Sequence, residues 1–194
     1  MARRLLMLIG LSIAVSGCES RLVPTKESAS ADRPAQTESS ASPSGDITAT
    51  VVDPAGFQAA VAKHLGQVVL VDCWATWCIP CREAFPHTVE LHRKYSPQGL
   101  AVISLSFDDP TDQGAPPPKV VEFLKEQRAA FENYVSGADL GTPEAAALSI
   151  DEEILPHYKL YGRDGRLIKA FSGGDPEEPL TPAAIENAVA MALK

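Results

Sequence analysis

The sequence is poor in features that mark several classes of protein. Lys and Arg number 17 against 25 Asp and Glu, a net charge of −8, so no basic stripe is available to bind nucleic acid. Four cysteines in 194 residues are too few for a scaffold built on disulfides, and we find no internal repeat. The composition, 45% hydrophobic and 22% charged, is that of a globular protein, with room for one domain and a tail or for two small domains.

Long apolar runs are also scarce, and the longest one stands at the N-terminus. It covers residues 5–15, about eleven positions, which is too few to cross a bilayer core of about 30 Å. Arg3 and Arg4 precede it and small residues follow it, which is the pattern of an export signal. We therefore predict a signal peptide over residues 1–17, with a buried helix as the alternative.

The end of this run, VSGC at residues 15–18, resembles the lipobox of bacterial lipoproteins. The resemblance implies that Cys18 is acylated and becomes the first mature residue; the alternative is a secreted protein in which Cys18 is accidental. Residues 19–45 are rich in Ser, Ala, Pro and Glu and have too little apolar surface to offset the entropy of ordering. Residues 18–45 are therefore predicted to form a lipidated, disordered tether with a reach of about 30 Å.

From residue 46 onward, strand and helix patterns alternate. Apolar or β-rich runs predict five strands, at 47–52, 67–74, 99–107, 156–162 and 166–173. Helical patterns fall at 53–66, 79–96, 119–130 and 181–194, with Asp53 and Thr181 as expected N-caps of the first and last of them. The Ala-rich stretch 142–150 is expected to pack as an insert helix. Alternating elements imply a parallel core, to which the last two strands add a hairpin around Asp164-Gly165. The prediction is one α/β domain over 46–194, with three α/β/α layers, a mixed central sheet and a C-terminal helix.

Three of the four cysteines, Cys73, Cys78 and Cys81, fall within nine positions. Their spacing matches the start of a plant-type iron–sulfur motif, but no fourth cysteine follows, and a zinc site would need more Cys or His ligands nearby. A structural disulfide between Cys78 and Cys81 would close too short a loop to constrain the unfolded chain much. Cys78 follows a strand and opens a helix, where backbone N–H groups stabilise a thiolate, and Cys81 lies one turn later. This placement favours a redox-active pair.

The stretch VVLVDCWATWCIPCREAFP, residues 68–86, resembles the active-site region of thioredoxins. That region consists of a strand, the pattern Asp-Phe-Trp-Ala-x-Trp-Cys-x-x-Cys and a helix, and every motif position matches here except that Cys73 replaces Phe. Residues 66–175 also follow the thioredoxin-like order of elements. Together with the predicted export signal, the chain is similar to the TlpA/ResA-like branch, whose members are membrane-tethered, extracytoplasmic thiol–disulfide proteins. The resemblance implies a thioredoxin-like fold.

The resemblance also implies the roles of the catalytic residues. Cys78 would be the attacking thiolate, and Cys81 the resolving thiol that closes the intramolecular disulfide. Asp72 matches the family's buried acid; burial should raise its pKa and suit it to accept or return the Cys81 proton. The alternative for Asp72 is an ordinary carboxylate at a strand end. Cys73 is expected to be a small apolar core residue, with a regulatory thiol as the alternative.

Five further residues are predicted to line the substrate site by the same resemblance: Trp77, Ile79, Pro80, Leu155 and Pro156. Pro156 matches the family's cis-proline, whose neighbouring backbone pairs with a substrate strand; a trans bond is the alternative. Ile79 stands where thioredoxins have Gly, which leaves the reduction potential and the direction of electron flow open. His157, which follows Pro156, is predicted to be an exposed strand residue, with a position near the substrate groove as the alternative.

The function expected from these features is that of a thiol–disulfide oxidoreductase, acting more as a reductase, on exported proteins. It would be monomeric, need no cofactor or metal, be re-reduced by a membrane electron donor, and sit lipid-anchored on the periplasmic side of a bacterial membrane. A thioredoxin-fold peroxidase is one alternative, although such enzymes have Thr where Ala75 stands. A non-enzymatic copper-delivery or scaffold protein is the other, although its relatives use a wider cysteine spacing and a distal histidine.

Overall fold

The computed structural model describes residues 46–146, 148, 154–174 and 180–194. The predicted signal peptide, the tether and Cys18 lie outside these residues. The described strands and helices are, in chain order, β1 (Thr50–Val52), α1 (Pro54–Ala62), β2 (Val68–Trp74), α2 (Ile79–Tyr95), β3 (Leu100–Ser106), α3 (Pro118–Gln127), β4 (Glu132–Ser136), α4 (Pro143–Ala146), β5 (His157–Tyr161), β6 (Leu167–Ser172) and α5 (Pro182–Ala192). A short 3-10 turn, Ser96–Gln98, follows α2.

The strands form one mixed sheet in the order β1-β4-β3-β2-β5-β6. The pairs β1–β4, β4–β3 and β3–β2 are parallel, whereas β5 runs antiparallel to both β2 and β6. The last two strands meet in the predicted hairpin, where Gly165 supplies a positive φ of 76° that a residue with a Cβ adopts at a cost. The predicted parallel core with an antiparallel C-terminal hairpin is therefore confirmed.

The strand β4 is the element that the sequence prediction missed, and it makes a sixth strand between β1 and β3. Its sequence, ENYVS, is short and polar, so it lacks the apolar run that identified the other core strands. The side chain of Asn133 is satisfied on both sides: its Nδ2 donates to the carbonyl oxygens of Ala129 and Phe131 in the turn before the strand, and Ser104 Oγ of β3 donates to its Oδ1. The contact with Ser104 joins distant segments of the chain, and no local pattern indicates it.

Helices cover both faces of the sheet because successive side chains of a strand point to opposite sides. On one face, α1 packs with Phe57 and Val61 against Val71 of β2. On the other face, α2 and α5 pack against residues that include Val68 and Leu70. All seven residues of β2 are buried, which explains why this strand reads as a continuous apolar run. The predicted three-layer α/β/α fold is confirmed.

The helix boundaries follow the predicted capping signals. The side chain of Asp53 accepts a hydrogen bond from Gly56 N, and Thr181 caps α5 by accepting from Ala184 N. Pro86 lies inside α2, which continues to Tyr95. In the Ala-rich stretch the described helix, α4, has only four residues. Across the described ranges, no helix is long and apolar enough to cross a membrane.

Three aromatic rings pack together where β2 ends, in the same buried cluster as Cys78 and Cys81. The ring centroid of Trp74 lies 5.0 Å from that of Phe85 and 4.7 Å from that of Phe123. Phe85 and Phe123 are 5.2 Å apart in an edge-to-face arrangement. The cluster joins β2, α2 and α3, and it supports the segment that bears the cysteines.

Replacing Phe123 with Ala should lower the free energy of unfolding by about 3–5 kcal/mol, because the ring is buried and a cavity would remain. Urea denaturation measures this change. The matched control is Ile168→Ala on β6, since Ile168 is more than half exposed and should change stability by no more than about 0.5 kcal/mol. Equal losses in the two variants would show that the aromatic cluster does not stabilise the fold.

Candidate active site

Cys78 and Cys81 are joined by a disulfide at the start of α2, with an S–S distance of 2.04 Å and a Cα–Cα distance of 5.3 Å. Cys78 is the N-cap residue of the helix, and its sulfur accepts a hydrogen bond from Cys81 N at 3.3 Å. At this position the unpaired N–H groups and the positive end of the helix dipole favour a negatively charged sulfur. The pair is therefore placed for thiolate chemistry at Cys78.

Large apolar side chains flank this pair and face outward. Trp77 is 59% exposed and Ile79 is 66% exposed, whereas both cysteines are buried. Pro80 is also exposed, in the first turn of α2. The predicted cis bond between Leu155 and Pro156 is present, and Leu155 packs against the cluster that contains both cysteines. The structure thus brings the predicted substrate-site residues to one region around the disulfide.

Asp72 lies in the middle of the sheet, where it is 1% exposed. Thr88 Oγ1 donates a hydrogen bond of 2.6 Å to Asp72 Oδ2. No donor among the described residues bonds to Asp72 Oδ1. Burial raises the pKa of Asp72 from 3.8 to about 7, although hydrogen bonds from Thr88 and Tyr158 act in the opposite direction. The predicted direction of the pKa change is confirmed, and the group can exchange a proton near neutral pH.

A second buried carboxylate, Asp108, anchors the loop that leads to the cysteines. It accepts hydrogen bonds from the backbone N–H of Thr76 at 2.7 Å, from the Thr76 hydroxyl, and from Ser106 Oγ at 2.8 Å. Lys119 Nζ lies 2.6 Å from its Oδ1. Burial raises the pKa of Asp108, but these bonds outweigh it and hold the pKa below its usual value. Asp108 is therefore an ionised anchor for Thr76, two residues before Cys78.

The chain is similar in sequence and structure to proteins of thiol–disulfide exchange. The family model for thioredoxin matches residues 48–116. Over 138 residues the chain is 28% identical to the thiol–disulfide oxidoreductase ResA of Bacillus thuringiensis subsp. konkukian, covering 67% of this chain and 69% of the relative. A solved thiol:disulfide interchange protein DsbE from Chlorobium tepidum is 25% identical, with a TM-score of 0.55 over 69% of this chain and 85% of that one. The chain is a thiol–disulfide oxidoreductase that is similar to the TlpA/ResA-like proteins.

A further solved structure has the same fold at lower identity. It is a secreted disulfide oxidoreductase of Mycobacterium tuberculosis, 16% identical, with a TM-score of 0.52 over 75% of this chain and 96% of that one. At that identity the likeness supports the fold alone. The oxidoreductase fold is thus shared with relatives of low sequence identity.

The third cysteine of the oxidoreductase motif is a core residue. Cys73 is fully buried in β2, is not disulfide-bonded, and packs with apolar residues of β2, β3 and α1. Burial raises the pKa of its thiol to about 12, which keeps the sulfur protonated and unreactive at neutral pH. The prediction that Cys73 is an apolar core residue is confirmed.

The prediction that His157 is exposed is wrong. The side chain is only 5% exposed, because β5 lies inside the sheet between β2 and β6 and both of its faces are covered. His157 is the register partner of Cys73, so their side chains lie on the same face of the sheet. Lys159, two residues later, is also buried in this oxidoreductase and was not identified from the sequence.

Sequence reasoning also missed Thr88, Tyr158 and Asp108. These residues contact the predicted acid or the cysteine loop from positions 16 to 86 residues away in the chain, and each falls outside the thioredoxin motif. Asp108 had a weak signal, since it directly follows an apolar strand. Within the described residues, no group of three or more His, Cys, Asp or Glu side chains is placed to hold a metal ion.

Replacing Asp72 with Asn should stabilise the oxidised protein by about 2–3 kcal/mol more at pH 8 than at pH 5. The folded-state pKa of about 7 exceeds the unfolded value of 3.8. The native protein therefore binds a proton that the unfolded chain lacks between these values, and its stability falls as pH rises through that window. Urea denaturation at several pH values measures the effect, with the exposed Asp112→Asn variant as control. A difference between wild type and Asp72→Asn that stays constant with pH would contradict it.

Proposed function

We propose that the chain is a lipid-anchored, extracytoplasmic reductase that transfers electrons to disulfides of exported proteins. The observation that most supports this proposal is the Cys78–Cys81 pair at the start of α2, with a buried acid on the adjacent strand and exposed apolar residues beside it. The pair would supply the electrons, Asp72 the proton transfer, and the apolar surface the substrate contact. No other redox group is needed for this chemistry.

The reaction would proceed in two exchange steps. In the reduced protein, the Cys78 thiolate attacks one sulfur of the substrate disulfide, which forms a mixed disulfide and releases the first substrate thiolate. Asp72, in its carboxylate form, then takes the proton of the Cys81 thiol, and Cys81 Sγ attacks Cys78 Sγ. This step closes the disulfide seen in the structure and releases the second substrate thiolate, so that two electrons pass to the substrate. A membrane electron donor would restore the dithiol by the reverse exchange.

The substrate would bind over the exposed side chains of Trp77 and Ile79, next to Pro80. Exposed apolar side chains that cluster beside a reactive group are typical of a protein interaction site. The backbone at Leu155, beside Pro156, would pair with an extended substrate segment. Such pairing would select for unfolded or loop segments of exported proteins, because these can supply an extended strand.

The proposed location follows from the N-terminal sequence. Residues 1–17 would direct export, Cys18 would be acylated, and residues 18–45 would connect the membrane to the thioredoxin-like domain at 46–194. Acylation by more than one chain gives durable membrane binding, since a single chain binds only marginally. Fractionation of cells that express the wild type and the Cys18→Ser variant tests this: the wild type should sediment with membranes, and the variant should not.

Replacing Cys78 with Ser should abolish insulin reduction, because no other described thiol is placed to attack. Cys81→Ser should allow the first step but stop the second, so that a mixed disulfide accumulates and is visible on a non-reducing gel. Cys73→Ser is the matched control and should change the rate less than about twofold, because the Cys73 thiol stays protonated. Full activity in Cys78→Ser would refute the assignment of the nucleophile.

The proposed direction of electron flow predicts a reduction potential below about −250 mV for the Cys78–Cys81 couple. Equilibration with dithiothreitol buffers, followed by alkylation of free thiols, measures this potential. A value near about −120 mV would identify an oxidant instead. The Ile79→Gly variant, measured in parallel, reports how much the residue between the cysteines contributes to the potential.

A further inference from the structure

Thr88 of α2 connects the buried acid of β2 to a tyrosine of β5. Its hydroxyl oxygen lies 2.6 Å from Asp72 Oδ2 and 3.4 Å from the hydroxyl oxygen of Tyr158. Asp72 and Tyr158 are register partners on neighbouring strands, so their side chains extend from the same face of the sheet toward α2. All three side chains are essentially inaccessible to solvent. The three side chains therefore form a polar cluster that is shielded from solvent within an apolar layer.

The direction of the hydrogen bonds follows from the number of protons available. Thr88 has one hydroxyl proton, and an ionised carboxylate can only accept, so the short contact uses that proton. The Tyr158 hydroxyl oxygen lies 3.4 Å from Thr88 Oγ1, and its proton is shared with Asp72, whose pKa this hydrogen bond lowers. Burial raises the pKa of Tyr158 well above 10, so this residue keeps its proton throughout the neutral range. The hydroxyls of Thr88 and Tyr158 thus stabilise the carboxylate against the cost of its burial.

The same helix face carries the resolving cysteine. Cys81 and Thr88 are seven residues apart on α2, which is close to two turns, so both side chains lie on one side of the helix. Cys81 is 1% exposed in the disulfide form, so its sulfur has little direct contact with bulk water. A base inside the protein would give its proton an alternative acceptor, and the bond from Thr88 holds Asp72 against α2.

We propose that Thr88 and Tyr158 are positioning residues that set the pH at which Asp72 accepts the proton of Cys81. This inference rests on the proposed role of Asp72 in the reductase. The hydroxyls of Thr88 and Tyr158 favour the ionised form of Asp72, so Asp72 can act as a base at a lower pH than burial alone would allow. Without these hydroxyls, the attack of Cys81 on the mixed disulfide would require a more alkaline medium.

The groups that face Asp72 come from three neighbouring elements. Tyr158 faces it from β5, and Thr88 faces it from α2, the helix that contains Cys81 and has Cys78 as its N-cap. The register partner on β3 is Ser104, which is uncharged. Cys73 adjoins it on β2 with its side chain on the opposite face. Of these groups, only the two hydroxyls lower the pKa of Asp72, so removing one of them should move its titration in a known direction.

The test measures single-turnover reduction of a disulfide peptide by the reduced, full-length protein between pH 5 and pH 9. Thr88→Val keeps the branched shape but removes the hydroxyl, and should raise the midpoint of the pH profile by about one unit. At pH 6 the rate should fall by up to about tenfold, and at pH 9 the rates should converge. Thr88→Ser is the matched control and should return the midpoint to the wild-type value. Tyr158→Phe should raise the midpoint by a smaller amount. This variant tests the same inference if Thr88→Val does not fold.

A double variant separates this inference from the proposed role of Asp72. In Asp72→Asn the midpoint should disappear, and adding Thr88→Val should change nothing further, because the two residues act through one another. An unchanged profile in Asp72→Asn would overturn the role of the acid itself. If Asp72→Asn removes the midpoint but neither Thr88→Val nor Tyr158→Phe moves it, the role of Asp72 as the base stands. The positioning role of Thr88 and Tyr158 is then overturned. A purely structural role for Thr88 would lower stability in urea and leave the midpoint in place.

Discussion

The burial of β2 on both faces is the constraint on which the rest of the structure depends. The strand lies between parallel β3 and antiparallel β5, and helices cover both sides, so each residue along it enters one of two apolar layers. Asp72 enters the layer under α2, and Cys73 enters the layer under α1. Because β2 ends at Trp74, shortly before Cys78, the N-cap residue of α2, the same strand that buries the acid also places the reactive sulfur at a helix N-terminus.

Two buried carboxylates near the active site have opposite electrostatic settings. Asp72 receives few hydrogen bonds in an apolar layer, and burial raises its pKa to about 7. Asp108 receives bonds from Thr76 and Ser106 and an ion pair from Lys119, and its pKa is lowered. The difference suits two tasks: one acid can exchange a proton, while the other stays ionised and holds the cysteine loop. Environments that separate the titrations of two acids in this way are common in active sites.

The sequence predicted those features that local patterns determine. The continuous apolar run of β2, the caps at Asp53 and Thr181, the C-terminal hairpin and the spacing of Cys78 and Cys81 are all local signals, and the structure contains each element they indicate. The features that were missed depend on contacts between distant segments. β4 is polar because Ser104 and the turn before it satisfy Asn133. His157 is buried because β6 covers one edge of β5 and β2 the other. Neither the strand β4 nor the burial of His157 produces a hydrophobic periodicity in the sequence.

In the proposed mechanism, different groups assist the two exchange steps. Backbone N–H groups at the start of α2 would stabilise the Cys78 thiolate that attacks the substrate. Asp72, which titrates near neutral pH and lies beside hydroxyls on α2 and β5, would accept the proton of Cys81 in the second step. Protonation of Asp72 in a mildly acidic medium would therefore slow the second step and lengthen the lifetime of the mixed disulfide. The buried cluster under α2 would then influence how long the substrate stays bound, although the substrate would contact only the exposed residues above it.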